Sequence, residues 1–109
     1  MNNTLHGTVT VKLGEEQFTL KPTLKAVRAI ESRFGGLRGA SEALRAVGVD
    51  ALAIIISAGA DLDGKASEEL PEKVWQQGAA GLTPEVTGYL YALYNPRGAN
   101  SGNDQAGAA

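Results

Sequence analysis

The chain has 109 residues, 43% of them apolar, and ten Lys and Arg stand against twelve Asp and Glu for a net charge of −2. That length suits one domain with its own core. The absence of cysteine excludes disulfides, thiolate zinc sites and cysteine nucleophiles and fits a reducing compartment. A nucleic-acid binder needs surplus cations, and this chain has none. Its charge is nevertheless uneven, because Lys12, Lys21, Lys25, Arg28, Arg33, Arg38 and Arg45 all fall in the first half. The basic half reads as solvated surface or as a docking face for an acidic protein partner.

The start Met1-Asn2-Asn3-Thr4 has neither the basic nor the apolar region of a signal peptide. The longest apolar run, Ala51 to Ile56, is far short of a membrane span. The expectation is a soluble, cytosolic protein.

Gly7-Thr8-Val9-Thr10-Val11-Lys12-Leu13 alternates with period two, and so does Gln17-Phe18-Thr19-Leu20-Lys21 beyond a turn at Gly14. A β-hairpin over residues 7–21 with one apolar face follows, and it needs an apolar surface to lie on. Pro22 ends the second strand and Thr23 caps a helix over residues 24–34. Leu24, Val27, Ile30 and Phe34 form its apolar stripe, and Gly35-Gly36 stops it.

A second helix is expected over 40–47, and Asp50 as cap opens a third over 51–59. Ser57 is the only polar side chain of that third helix, so it is apolar on every side. It is buried all round, in the core or against another chain. A polar loop is expected at 60–65. A fourth helix follows over 70–80 with Pro71 in its first turn, and a fifth over 84–94 opens at Thr83-Pro84-Glu85. The residues from 97 to 109 carry no large apolar side chain and read as a disordered tail. The expected fold class is α+β: an N-terminal hairpin packed on four to five short helices, a single domain over 1–96.

No catalytic, cofactor or metal site is expected. His6 is the single histidine and has no triad or metal partner in its neighbourhood. Gly35-Gly36-Leu37-Arg38-Gly39 follows a helix and lacks the Lys-Ser/Thr ending of a phosphate loop, so it reads as a helix–helix turn. Asp61, Asp63 and Gly64 begin like a calcium loop, but Lys65 takes a ligand position, which leaves a polar turn. Glu31 has two readings. Either it is a carboxylate at the edge of the stripe reaching into solvent, or it is a buried or interfacial acid paired with Lys or Arg. The residues expected to meet a protein partner are Ile55 and Ile56 on the all-apolar helix, Trp75, the tyrosines Tyr89, Tyr91 and Tyr94, and Glu31.

The order of these parts resembles the tail assembly chaperones of long-tailed bacteriophages, in the branch that includes gene transfer agent proteins. The resemblance rests on Gly7-Thr8-Val9 through Phe18-Thr19-Leu20, on Pro22-Thr23-Leu24, on the helix ending Ala29-Ile30-Glu31 and on the Gly35-Gly36 break. It continues through Ile55-Ile56-Ser57-Ala58-Gly59, Gly78 and the last helix from Val86 to Leu93. It implies a non-catalytic protein of the host cytoplasm, absent from the mature virion, that binds the tape measure protein and keeps it soluble. Its implied partners are the tape measure protein or other tail proteins, with homo-oligomerisation left open and with no nucleic acid or membrane. The rival expectation is a structural tail component, of tail tube or terminator type, retained in the virion.

Overall fold

The computed structural model describes residues 7–95. The calls on His6 and on a disordered tail over 97–109 lie outside the described residues. Alternation of β-branched and polar residues builds the antiparallel pair β1 (Val9–Leu13) and β2 (Glu16–Leu20). Val9 faces Leu20 and Val11 faces Phe18. Val11, Leu13 and Leu20 are buried, while Thr10, Lys12 and Thr19 look outward.

Helical segments follow: α1 (Leu24–Phe34), α2 (Leu37–Arg45), α3 (Val49–Ala60), α4 (Gly64–Glu68), α5 (Leu70–Gln77) and α6 (Ala79–Leu93). The architecture is therefore α+β, a hairpin on a helical bundle. Among the described residues no helix is long and apolar enough to cross a membrane.

The limits of α1 come from its caps. Thr23 Oγ1 accepts the Ala26 N–H at 3.0 Å, and Gly35, at φ 85, donates its N–H to the Glu31 carbonyl at 2.8 Å. Only glycine takes that left-handed position without a Cβ penalty. Ala26 and Ile30 are buried, with Val27 and Phe34 half-buried against the core. Leu24, expected on this stripe, is instead 63% exposed. Helical side chains lean toward the N-terminus, so a residue in the first position projects past the helix end rather than across to its neighbour.

Between α2 and α3, Val47 holds φ 58, an outlying conformation for a β-branched residue. The N-cap of α3 is Gly48, and Asp50, expected as cap, lies inside the first turn, where its charge still suits the helix dipole. The all-apolar character of α3 has a simple cause: it is the central element, touching α1, α2, α4, α5, α6 and β2. Leu52, Ile55 and Ile56 are completely buried.

Several boundaries differ from expectation. The second helix runs over Leu37–Arg45 rather than 40–47, so Leu37, Arg38 and Gly39, read as part of a helix–helix turn, are its first residues, and α5 ends at Gln77 rather than at 80. Part of the loop expected at 60–65 is the first residues of the single-turn α4. The last helix starts at Ala79 rather than at Pro84, which lies inside it. Gly78, at φ 108, turns the chain early enough for Ala79 and Ala80 to begin the helix. Pro84 cannot supply the N–H that would return to Ala80, while the neighbouring Thr83 hydroxyl donates to the Ala79 carbonyl at 2.9 Å.

The hairpin is fastened to the helices at both ends. At its turn, the Gly14 N–H donates to Gln77 Oε1 at 2.8 Å. Lys73 Nζ lies 2.6 Å from Glu16 Oε1 and 5.9 Å from the centre of the Phe18 ring, within cation–π reach. At the open end, the Lys21 N–H donates to the Gly59 carbonyl at 3.0 Å, and the Tyr89 hydroxyl donates to the Lys21 carbonyl at 2.6 Å. Gly59 allows this approach. A Cβ there would lie 2.9 Å from Leu20 Cβ and 3.0 Å from Tyr89 Cζ.

Candidate functional site

The residues expected to meet a partner separate into two groups. Ile55, Ile56 and Tyr89 belong to the core, so the docking role read for them is corrected: they hold the fold and present no surface. Tyr89 is buried because its ring fills the space beside Gly59 and its hydroxyl is satisfied by Lys21. Burial pushes that phenol up to about 12 from its ordinary 10.0, since a phenolate there would lose its water.

Trp75, Tyr91, Tyr94 and Glu31 remain at the surface. Trp75 follows the buried Val74 on α5, so the helical turn carries it outward, and it is 67% exposed. Tyr91 is 50% exposed, and its hydroxyl accepts from Ser41 on α2 at 3.2 Å. Tyr94 is half-buried and donates to Glu31 Oε2 at 3.2 Å. Burial first, and then the Glu31 carboxylate, hold its pKa above the ordinary phenol value. Glu31 is exposed, with a tyrosine as its partner rather than the cation of the interfacial reading.

A second feature arises where α1 crosses the C-terminal half of α3. One cleft of about 260 Å³ lies between Lys25, Ala29, Ser32 and Arg33 of α1 and Ile54, Ser57 and Ala58 of α3. Leu62 and Ser67 close one end of it. A neighbouring cleft of about 410 Å³ runs from Thr19, Lys21 and Thr23 to Gly59 and Ala60. Both are lined by Lys25, Ala58 and Asp61, so they form one groove crossed by the Lys25–Asp61 ion pair at 2.7 Å. Asp61 ends α3 in the left-handed conformation, at φ 59, and this aims its carboxylate across the groove. The Asp61 hydrogen bond and charge hold the Lys25 ammonium above the ordinary lysine value, with a smaller contribution from Asp63.

The serine hydroxyls of this groove already have partners. Ser67 and Ser57 are 2.8 Å apart, and the Ser57 hydroxyl reaches the Leu62 carbonyl at 3.3 Å. Donation from Ser67 to Ser57 and from Ser57 to Leu62 uses both protons. The Ser32 hydroxyl donates to the Ala29 carbonyl at 3.1 Å. These serines form a wall, and among the described residues no imidazole or thiol stands near to activate them as nucleophiles.

Among the described residues no cluster of three or more His, Cys, Asp and Glu could hold a metal ion. The start of a calcium loop read at Asp61 and Asp63 gives Asp61 to Lys25 instead. What the arrangement offers is surface: exposed aromatic groups on α5 and α6, and a cation-rimmed groove between α1 and α3. The cations were legible as a basic half of the sequence; the groove depends on the α1–α3 pairing, which no local pattern announces. Comparison with known proteins finds no matching family model, no match among curated proteins and no match among solved structures.

Proposed function

We propose that the chain is a non-catalytic tail assembly chaperone, which binds a tape measure protein in the host cytoplasm and keeps it soluble until the tail tube forms around it. The reading rests on the ordered resemblance set out in the sequence and on one structural observation. The folded body leaves large apolar side chains outside its core, with Trp75 at 67% exposure the foremost. Removing the exposed part of an indole from water contributes roughly 3 kcal/mol, a free energy the isolated domain forgoes and a partner can recover. Tyr91 and Leu24 are also exposed. A long apolar helical client needs its surface covered, and a small acidic domain with such side chains suits that task.

Co-expression with the tape measure protein is the test. The client stays in the soluble fraction when this chain is present and precipitates when it is absent. The double change Trp75→Ala and Tyr91→Ala weakens co-purification more than it lowers the melting temperature. Purified mature particles lack the chain. A client that is equally soluble with and without this protein overturns the proposal.

A further inference from the structure

We propose that the groove between α1 and α3 binds an acidic peptide segment of a protein partner. Apolar side chains of the segment enter the two clefts, and its carboxylates engage Lys21, Lys25 and Arg33. The inference rests on the reading of this chain as a protein-binding module and names the chemistry of what it binds.

Charge selects the occupant. The whole chain has a net charge of −2, yet the groove gathers Lys21, Lys25 and Arg33 against Asp61 as its one acid. Among the described residues neither Lys21 nor Arg33 is in an ion pair, so these two charges are free to meet carboxylates. Charge of one sign along a cleft speeds and orients the arrival of the opposite sign. The floor is apolar, with Ile54 and Leu62 half-buried beside Ala29 and Ala58. It therefore favours a ligand with greasy side chains as well as acid groups.

The pair that crosses the groove is suited to exchange. The Lys25 and Asp61 side chains are 78% and 69% exposed, and such solvated pairs hold weakly. An arriving carboxylate can replace Asp61 on Lys25 without burying a bare charge. The serine wall already has its hydrogen bonds, so it asks no further polar group of the ligand.

The test is a titration of the isotope-labelled protein, followed by amide NMR, with a short synthetic peptide carrying interspersed Leu and Glu. Two control peptides carry Lys in place of Glu or Ala in place of Leu, and a short single-stranded oligonucleotide serves as a further polyanion. The acidic leucine peptide produces saturable shifts at Ser32, Arg33, Ile54 and Leu62, and both control peptides bind more weakly. The pair Lys25→Glu and Arg33→Glu weakens binding about tenfold or more. Asp61→Asn removes the competing acid while keeping a side chain that tolerates the left-handed cap, and it tightens binding about threefold. Melting curves establish that each variant is folded. Shifts confined to Trp75 and Tyr91, an equal response to the Lys peptide, indifference to the charge variants, or tighter binding of the oligonucleotide overturns the proposal. Each of those results leaves client solubility on co-expression as a separate measurement, so the groove and the chaperone reading can fail independently.

Discussion

Replacing Gly59 by alanine tests whether the approach of β2 and α6 to α3 is as close as the structure shows. Inside a helix the exchange alone stabilises by about 0.5–1 kcal/mol, because alanine has less backbone freedom to lose. At Gly59 the added methyl meets Leu20 Cβ at 2.9 Å and Tyr89 Cζ and Oη at 3.0 Å. Leu20 Cβ is fixed to the strand and cannot turn aside. Tyr89 can move only by loosening its 2.6 Å bond to the Lys21 carbonyl. Overpacking costs about 1–3 kcal/mol, and a weakened buried hydrogen bond adds to that by about 1 kcal/mol. The net expectation is a loss of about 2 kcal/mol. In a domain this small that corresponds to a melting temperature lower by roughly 8–16 °C. Gly88→Ala is the matched control, since a Cβ at that position in α6 meets nothing within 4 Å. There the propensity gain stands alone and the midpoint rises by a few degrees, in line with about 0.5–1 kcal/mol. Thermal and urea unfolding followed by far-UV circular dichroism measure both. A Gly59→Ala protein that melts at or above the parent refutes the packing argument.

Ile55→Asp places an unpaired charge in the middle of α3, at a cost of several kcal/mol that is comparable with the whole stability of such a domain. The expected outcome is loss of the cooperative melt, and an unchanged midpoint would contradict the burial of Ile55. Tyr89 gives a pH signature: with its folded pKa raised to about 12 from 10.0, its contribution is full below pH 10 and is lost as pH rises from 10 to 12. The difference in urea midpoint between the parent and Tyr89→Phe should therefore shrink across that window, whereas a flat difference means the hydroxyl is open to water. Val47→Asn relieves the φ 58 backbone of a β-branched residue, and a stabilisation of about 1 kcal/mol is expected. A lower melting temperature would show that the exposed valine contributes more by contact than its backbone costs.

The hairpin and α1 were largely legible because their signals are local, whereas α2 begins three residues before the expected start. Thr23 and Gly35 each do their capping within a few residues, so the limits of α1 were readable, and the strand alternation placed Val11 and Leu20 inside. The last helix misled for a related reason. Thr83-Pro84-Glu85 is a sound N-terminal signature, but Gly78 offers an earlier start and the Thr83 hydroxyl stays inside the helix. Nothing in those residues tells which start is used. The all-apolar α3 was open to both a core and a contact reading, and only the number of elements packed round it decides for the core. Trp75 and Tyr91 were identified as surface candidates from residue chemistry. The groove was not, because Lys25 and Asp61 come together only when α1 lies on α3.

The fastenings of the hairpin also bear on the order in which the chain can fold. Its contacts with Lys73, Gln77 and Tyr89 span 57, 63 and 68 residues of sequence. During synthesis the two strands leave the ribosome well before these three side chains do. A lone hairpin is marginal in water, and pairings across such separations form slowly. The apolar face of Val11 and Leu20 is therefore covered in stages, by α3 and α5 before α6, and a ribosome-stalled chain ending before Tyr89 would present the part left open to the cell's own folding helpers.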